Sequence, residues 1–140
     1  MQIFNEKTII HTLKTYRNIA IVGISPKTYR PSYGIALAML NNGYNIIPVN
    51  PQYDTVLNKH CYNNLSEIKE PVEIVNIFRR ADQVMPIVEE AILIKAKVIW
   101  MQSGIINEQA AYRAKEAGLD VIMNRCIKVD HAVYYNQIAG

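Results

Sequence analysis

Short apolar runs and amphipathic segments alternate along most of the chain. Residues 5–16 carry apolar side chains at the i, i+3, i+4 and i+7 spacing, which predicts an amphipathic helix. Residues 18–25 form an apolar run with a glycine near its end, which is typical of a buried strand. Similar runs predict further strands at residues 44–51, 72–78, 97–101 and 119–123.

Helices are predicted between these strands from capping residues and glycine stops. Ser32, Asp82 and Asn107 are candidate N-caps, because each is a short polar residue at the start of a helical pattern. Gly43 and Gly118 stand where a helix commonly ends with a residue at positive φ. The predicted helices span residues 32–42, 83–95, 108–117 and 129–138.

Residues 52–70 interrupt this alternation, because they are polar and irregular. We expect only a short edge strand near Cys61 and one helical turn at residues 65–68. Strands that alternate with helices predict a mostly parallel sheet covered on both faces. The sequence therefore predicts a single α/β domain over residues 1–140, with the N-terminal helix packed on it. We expect a doubly wound, Rossmann-like three-layer fold with strand order 3-2-1-4-5-6.

Composition and charge narrow the class of protein. The chain has 140 residues, of which 50% are hydrophobic and 19% charged, as in a globular protein. Its net charge of +3 is too weak to indicate a nucleic-acid binder but suits a small anionic ligand. The sequence predicts neither a membrane span nor a signal peptide, and Cys61 and Cys126 match no zinc-binding spacing. We expect a soluble cytoplasmic protein.

The predicted fold indicates where a ligand binds. In such sheets, ligands lie beyond the carboxyl ends of the strands, where the strand order reverses. That rule nominates loops at residues 23–32, 49–53, 78–81, 102–106 and 124–128.

The first of these loops has the clearest phosphate-binding features. Gly23 permits a sharp turn, and the N–H groups at the start of the following helix attract an anion. Ser25, Lys27, Arg30 and Ser32 add candidate phosphate donors. The alternative interpretation is a solvated turn whose cations touch nothing.

The later loops supply cations, amides and glycine. Arg79 and Arg80 are able to bind phosphate oxygens, or only one faces the ligand while the other pairs with a surface carboxylate. Phe78 offers apolar surface to a purine or a pantetheine arm, although a strand phenylalanine is more often core. The last two loops contribute the candidates Gln102, Gly104, Asn124 and Cys126.

Other types of site are not predicted. Gly23 lacks the further glycines of the dinucleotide fingerprint, and Asn50 stands where an NAD site needs an acid for the ribose. His11, His60 and His131 fall outside the nominated loops. Because no nucleophile, base and orienting acid meet at strand ends, we predict no catalytic residues. The sequence also has no cluster of metal-ligating residues, so we predict no metal site.

Several segments resemble a known family, the small stand-alone CoA-binding-domain proteins. The resemblance is carried by I-A-I-V-G-I-S, R-P-S-Y, F-R-R, K-V-I-W-M-Q-S-G-I and M-N-R-C-I-K, at residues 19–25, 30–33, 78–80, 97–105 and 123–128. The resemblance extends over residues 16–131. Proteins of this family are similar in fold to the CoA-binding domain of the succinyl-CoA synthetase alpha subunit.

The resemblance implies a Rossmann-like fold and CoA as the ligand. The family commonly has Asp at the position of Asn124, and the neutral amide argues against an acid–base role there. The resemblance adds Asn50 and neighbouring prolines to the candidates. The expected CoA contacts are Gly23, Ser25, Pro26, Lys27, Arg30, Ser32, Asn50, Pro51, Phe78, Arg79, Arg80, Gln102, Gly104, Asn124 and Cys126.

The function expected from these features is a non-catalytic CoA-binding or acyl-CoA-binding module that serves as a carrier, a sensor or a subunit. The alternatives are a partner-dependent CoA ligase component and an NAD-binding redox regulator. A homodimer or an unidentified protein partner is compatible with each. Neither nucleic acid nor a membrane is an expected partner.

Cys126 carries a separate hypothesis. It follows the last strand between Arg125 and Lys128, whose charges favour a thiolate. The hypothesis is that this thiol can form a mixed disulfide with the CoA thiol under oxidation. The alternative is a buried cysteine that acts as a small hydrophobe.

Overall fold

The computed structural model describes residues 5–140. The strands are β1 (Asn18–Val22), β2 (Asn45–Val49), β3 (Thr55–Val56), β4 (Lys59–His60), β5 (Ile74–Ile77), β6 (Val98–Met101) and β7 (Asp120–Met123). The helices are α1 (Glu6–Thr15), α2 (Pro31–Asn41), α3 (Val84–Leu93), α4 (Glu108–Glu116), α5 (Ile127–Val133) and α6 (Tyr135–Ala139). The predicted closing helix is thus two short helices, and none of the described helices is long and apolar enough to cross a membrane.

A five-stranded sheet forms the centre of the molecule, in the order β2-β1-β5-β6-β7. All neighbouring strands are parallel; Ile19 of β1, for example, aligns with Ile46 of β2 on one side and Ile74 of β5 on the other. The doubly wound, Rossmann-like fold is confirmed. The strand order reverses between β1 and β5, so the carboxyl ends of β1, β2 and β5 surround the expected ligand position.

The predicted strand order 3-2-1-4-5-6 is confirmed for five of its strands, because 2-1-4-5-6 corresponds to β2-β1-β5-β6-β7. The prediction is wrong only for the edge strand near Cys61, which does not join the sheet. Its place beside β2 is taken by a single parallel bridge between Val49 and Tyr62. The polar segment instead folds as an antiparallel hairpin of β3 and β4, followed by a 3₁₀ turn at Leu65–Glu67. Two-residue strands with mostly polar side chains do not bury enough apolar surface to extend the sheet.

Two cores flank the sheet, because successive strand residues point to opposite faces. On one face, Val88 of α3 and Ala111 of α4 pack against the strands. On the other face, Leu13 of α1, Met39 of α2 and Ile127 of α5 do so. Both cores share one sheet, which confirms a single domain with three layers.

The helix starts differ in how they are capped. Asn107 is confirmed as an N-cap, since its side chain accepts a hydrogen bond from the N–H of Ala110 at 2.9 Å. The predicted caps Ser32 and Asp82 are wrong. Ser32 lies inside the first turn of α2, because Pro31 already occupies a helical position. Asp82 lies in a 3₁₀ turn that precedes α3 and makes no cap hydrogen bond.

Candidate functional site

A cleft of about 530 Å³ opens at the carboxyl ends of β1, β2 and β5. Its volume falls within the roughly 300–1,000 Å³ of small-molecule sites. The predicted residues that line it are Gly23, Ser25, Lys27, Arg30, Ser32, Asn50, Phe78, Arg79 and Arg80. We call it the strand-end cleft, and with Ile105 it draws on four of the five nominated loops.

Gly23 is required at the base of this cleft for two reasons. Its φ of +91° is one that side-chain-bearing residues rarely adopt. A Cβ at this position would also clash with the backbone carbonyl oxygen of Phe78. The missing side chain therefore lets the loop after β1 pack directly against the end of β5.

Side-chain hydrogen bonds fix the rest of the first loop. The N–H of Ser25 donates to the hydroxyl of Ser32 at 3.0 Å, and the N–H of Lys27 donates to the hydroxyl of Ser25 at 3.1 Å. Ser32 is only 5% exposed. The two serines thus hold the loop in shape, while the side chain of Lys27 stays at the cleft.

No side chain within residues 5–140 caps or neutralises the start of α2. Arg30 is the N-cap and makes no side-chain cap hydrogen bond, and the first turn contains no acidic residue. Helix N-termini carry partial positive charge that stabilises a nearby anion. Among the described residues that line the cleft, none is acidic. The field at this end of α2 is therefore positive.

The two arginines after β5 differ in their contacts. Arg80 pairs with Asp82 at 3.5 Å on the surface, where both side chains are more than 70% exposed. Arg79 has no ion-pair partner within residues 5–140. Exposed pairs contribute little to stability, so Arg80 remains available to a stronger anion.

Asn50 connects the loops after β1 and β2. Its side-chain amide donates to the carbonyl of Ile24 at 2.9 Å and its oxygen accepts from the N–H of Gln52 at 3.0 Å. Both polar ends are therefore satisfied inside the protein. Beneath it, burial raises the pKa of the Cys61 thiol, which donates to the Asn50 carbonyl. Asn50 positions the cleft wall, whatever else it contacts.

The carboxyl ends of β6 and β7 are closed by internal hydrogen bonds. Gln102 is 3% exposed, and its oxygen accepts from the Asn76 amide at 2.9 Å and from the N–H of Ile127 at 3.1 Å. Asn124 adopts a φ of +63° and accepts from the N–H of Gly104 at 2.7 Å. These side chains join β5, β6 and β7 to α5 and do not line the strand-end cleft.

Arg125 is held by a carboxylate at the same end of the sheet. Its guanidinium donates to both oxygens of Asp130, at 2.6 and 3.2 Å, and these hydrogen bonds raise the pKa of Arg125. Asp130 is 1% exposed and the Arg125 side chain 30% exposed, so the carboxylate is buried while the guanidinium is partly exposed. Cys126, at the start of α5, is partly exposed and not among the residues that line the cleft.

Comparison with known proteins agrees with this geometry. A model of the CoA binding domain family matches residues 17–132. The chain belongs to this family. The match includes all five strands of the central sheet and the strand-end cleft.

Relatives of this family member extend over nearly its whole length. The uncharacterized protein YneT of Bacillus subtilis (strain 168) is 43% identical over 133 residues, which covers 95% of this chain and 98% of that protein. A solved structure of a hypothetical protein from Pyrococcus horikoshii OT3 is 36% identical, with a TM-score of 0.90 and coverage of 98% and 94% of the two chains.

A more distant likeness concerns the fold alone. The dinucleotide forming acetyl-coenzyme A synthetase 1 of Ca. Korarchaeum cryptofilum, solved in complex with phosphate and ADP, matches with a TM-score of 0.71 at 21% identity. The match covers 82% of this chain but only 27% of that protein. The family fold therefore also occurs within a much larger chain.

Some residues of the strand-end cleft were not predicted from the sequence. Pro31, Gln52, Tyr53 and Ile105 line the cleft without having been predicted. All four lie in nominated loops, so the signal was their position at strand ends and not their residue type. Conversely, Pro26 and Pro51 lie outside the lining of the strand-end cleft.

The histidines of this family member lie away from the cleft. His11 is on α1, His60 is in the hairpin beside Tyr62, and His131 is buried on α5 beside Tyr44. None of the three lines the strand-end cleft. The arrangement in the cleft is suited to holding an anion by cations, helix N–H groups and amide groups.

Proposed function

We propose that the protein binds CoA or an acyl-CoA in the strand-end cleft, as a non-catalytic module that serves as a carrier, a sensor or a subunit. The observation that carries the proposal is the positive, acid-free cleft at the uncapped start of α2 in a member of the CoA binding domain family. Lys27, Arg30 and Arg79 face it, together with Arg80.

The charge of CoA matches the cations of the cleft. A diphosphate and a 3′-phosphate carry roughly four negative charges near neutral pH, because the second phosphate pKa is near 6. The cleft has four basic lining residues, Lys27, Arg30, Arg79 and Arg80. NAD has fewer charges, and its ribose would meet Asn50, whose amide is already hydrogen-bonded within the protein.

The remaining features of the proposal rest on the sequence or on the fold. A ligase component that works with a partner chain rests on fold likeness alone. A homodimer or other protein partner, a cytoplasmic location and the mixed disulfide of Cys126 stay predictions.

Thermal unfolding with added ligand tests the proposal. CoA at about a hundredfold over its dissociation constant should add roughly 2.7 kcal/mol of stability, because it binds only the folded state. NAD at the same concentration should add less. A clear rise in melting temperature with NAD and none with CoA would reverse the assignment.

A further inference from the structure

The outer side of α2 is exposed but carries no charge. Residues 31–43 contain no lysine, arginine, aspartate or glutamate. Gly34, Leu37 and Asn41 are exposed on this helix. A surface helix normally presents charged or polar side chains on the side away from the core, whereas a helix that is apolar all round is usually buried. The outer side of α2 therefore has the composition of a contact surface.

An uncharged groove lies beside α2, between this helix and the β3–β4 hairpin. Its volume is about 450 Å³. We call it the α2–hairpin groove, and its apolar walls are formed by Pro26, Tyr33, Leu37, Leu40, Val56 and Leu57. Thr55 and Asn58 complete the lining, which contains no charged side chain among the residues that the structure describes.

A ridge of apolar side chains lies on α5, which contacts α2. Val129 and Val133 are about one helical turn apart and are 53% and 62% exposed. Between them, Asp130 and His131 are buried and add no charge to the surface. We call Val129 and Val133 the α5 ridge. The uncharged face consists of the α2–hairpin groove, the exposed side of α2 and the α5 ridge.

The groove and the ridge lie on opposite sides of α2. The hairpin lies beyond β2, which is the edge strand of the sheet and packs against α2. By contrast, α5 begins near the end of β6, where the N–H of Ile127 donates to Gln102. Both helices cover the same face of the sheet, so their exposed sides point outward together. The uncharged face is therefore continuous, with a groove on one side and a ridge on the other.

The hairpin tip places a leucine in the groove wall where the backbone favours other residues. Leu57 and Asn58 both have positive φ, 56° and 59°. Two-residue hairpin turns of this kind favour asparagine or glycine, and bulky residues at positive φ are uncommon. Such positions cluster at functional sites, where the side chain is needed. The groove therefore has a leucine that the turn itself does not require.

The size of the uncharged face is sufficient for a small interface. Its length is about 16 Å, given by the eleven residues of α2, and its width is about 30 Å, from three elements of about 10 Å each. The face thus covers roughly 500 Å², which reaches the roughly 500 Å² on each partner that a specific interface needs. An interface of this size predicts a reversible association that depends on concentration.

We propose that the uncharged face is the interface of a symmetric homodimer, in which the α5 ridge of each protomer inserts into the α2–hairpin groove of its partner. A two-fold axis parallel to α2 exchanges the two sides of this helix, and so brings each ridge opposite the other groove. A second copy is favoured by shape, because the chain carries both the groove and an apolar ridge. It is also favoured by charge. Two copies with a net charge of +3 repel each other, and this repulsion opposes contact least where the surface carries no charge.

Sedimentation velocity of the full chain over a wide range of protein concentration tests the proposal. The wild type should shift from monomer to dimer as the concentration rises. Leu37→Lys at the centre of the face and Val133→Lys on the ridge should each raise the dissociation constant of the dimer about tenfold or more, because the interface would bury an unpaired charge. The matched control is Leu93→Lys, on the opposite face of the sheet and 80% exposed, which should dimerise as the wild type does.

A groove variant tests how the two copies are arranged. Leu57→Asn removes an apolar wall but keeps a residue that tolerates positive φ, so the hairpin should still form. It should also weaken the dimer. If Val133→Lys weakened the dimer and Leu57→Asn did not, ridge would pack on ridge, and the proposed arrangement would be overturned. A wild type that stays monomeric at every concentration would overturn the homodimer and leave the face to another protein. A dimer that none of the face variants weakens would place the interface elsewhere.

Discussion

The carboxyl edge of the sheet has two halves with similar residue types, but one half is open and the other is closed by contacts within the protein. Beyond β1 and β5, Lys27 and Arg79 line an open cleft and have no ion-pair partner within residues 5–140. Beyond β7, Arg125 donates two hydrogen bonds to the buried carboxylate of Asp130. The difference indicates that an arginine at a strand end is a ligand candidate only when no carboxylate of the protein already neutralises it.

The buried side-chain amides of the two halves also need to be judged by their contacts and not by residue type. Gln102 and Asn50 are both buried, and both have hydrogen-bond partners inside the protein. Their roles are structural in the first instance, because a buried polar group needs a partner whether or not a ligand binds. Only the half with Asn50 remains open beside unpaired cations. Substitutions that separate stability from affinity test this comparison.

The largest effect is expected for Gly23→Ala, at the base of the open half. The substitution should lower the free energy of unfolding by about 4 kcal/mol, of which roughly 1–3 comes from the positive φ and a similar amount from the clash with Phe78. Chemical denaturation measures this change. Gly34→Ala is the control, because Gly34 lies in α2 without positive φ and with nothing within 4 Å of an added Cβ. It should stabilise by about 0.5–1 kcal/mol.

Next in size is Arg125→Ala, in the closed half. It should lower the free energy of unfolding by about 3 kcal/mol, because the Asp130 carboxylate would be left buried without its partner. Arg80→Ala breaks a pair of exposed side chains and should change stability by about 1 kcal/mol or less. Comparable losses in the two variants, measured by urea denaturation, would contradict the distinction between a buried and an exposed pair.

The open half should respond in the opposite way. Lys27→Ala and Arg79→Ala should each weaken CoA binding by roughly 1–3 kcal/mol, the scale of charge-assisted hydrogen bonds. The melting temperature without ligand should hardly change. Calorimetry at two salt concentrations provides the check, since the loss should shrink as salt screens the phosphates. Unaltered CoA affinity in both variants would mean that these side chains are merely solvated.

The smallest effect concerns pH and involves His131 of α5, whose ring contacts Tyr44. Burial lowers the pKa of His131, and the nearby Arg17 adds to the shift. The unfolded chain therefore binds more protons below the ordinary imidazole pKa of about 6.5, and stability should fall as the pH drops through that value toward the folded pKa. Denaturation at pH 7.5 and 5.5 measures the loss, which should shrink in His131→Phe but persist in His60→Phe.

Much of the fold was predictable because its signals are local. Apolar runs closed by Gly23 or Pro51, and the cap at Asn107, specify strands and a helix start without any knowledge of tertiary contacts. The order of the five central strands was predicted correctly, but the edge strand was not, because residues 52–70 carry too little apolar pattern to reveal whether a strand or a hairpin forms. The cap at Ser32 was mispredicted because Pro31 begins the helix one residue earlier.

The candidate site was predictable at the level of loops but not of side chains. The rule for strand ends led to the loops that carry Gly23, Lys27 and Arg79. It did not distinguish these from the loop of Arg125, because pairing with Asp130 depends on how α5 packs. Tyr53 was missed for the same reason: its contribution depends on the turn after β2 and not on residue type.

An amide NMR titration with CoA tests the central claim most directly, because it reports binding and its location together. The account predicts the largest chemical-shift changes at residues 23–34, 50–53 and 78–80, which surround the strand-end cleft. Residues 102–104 and 124–128 should change little, since their polar groups are held within the protein. Changes centred on residues 124–128, or no changes at saturating CoA, would contradict it.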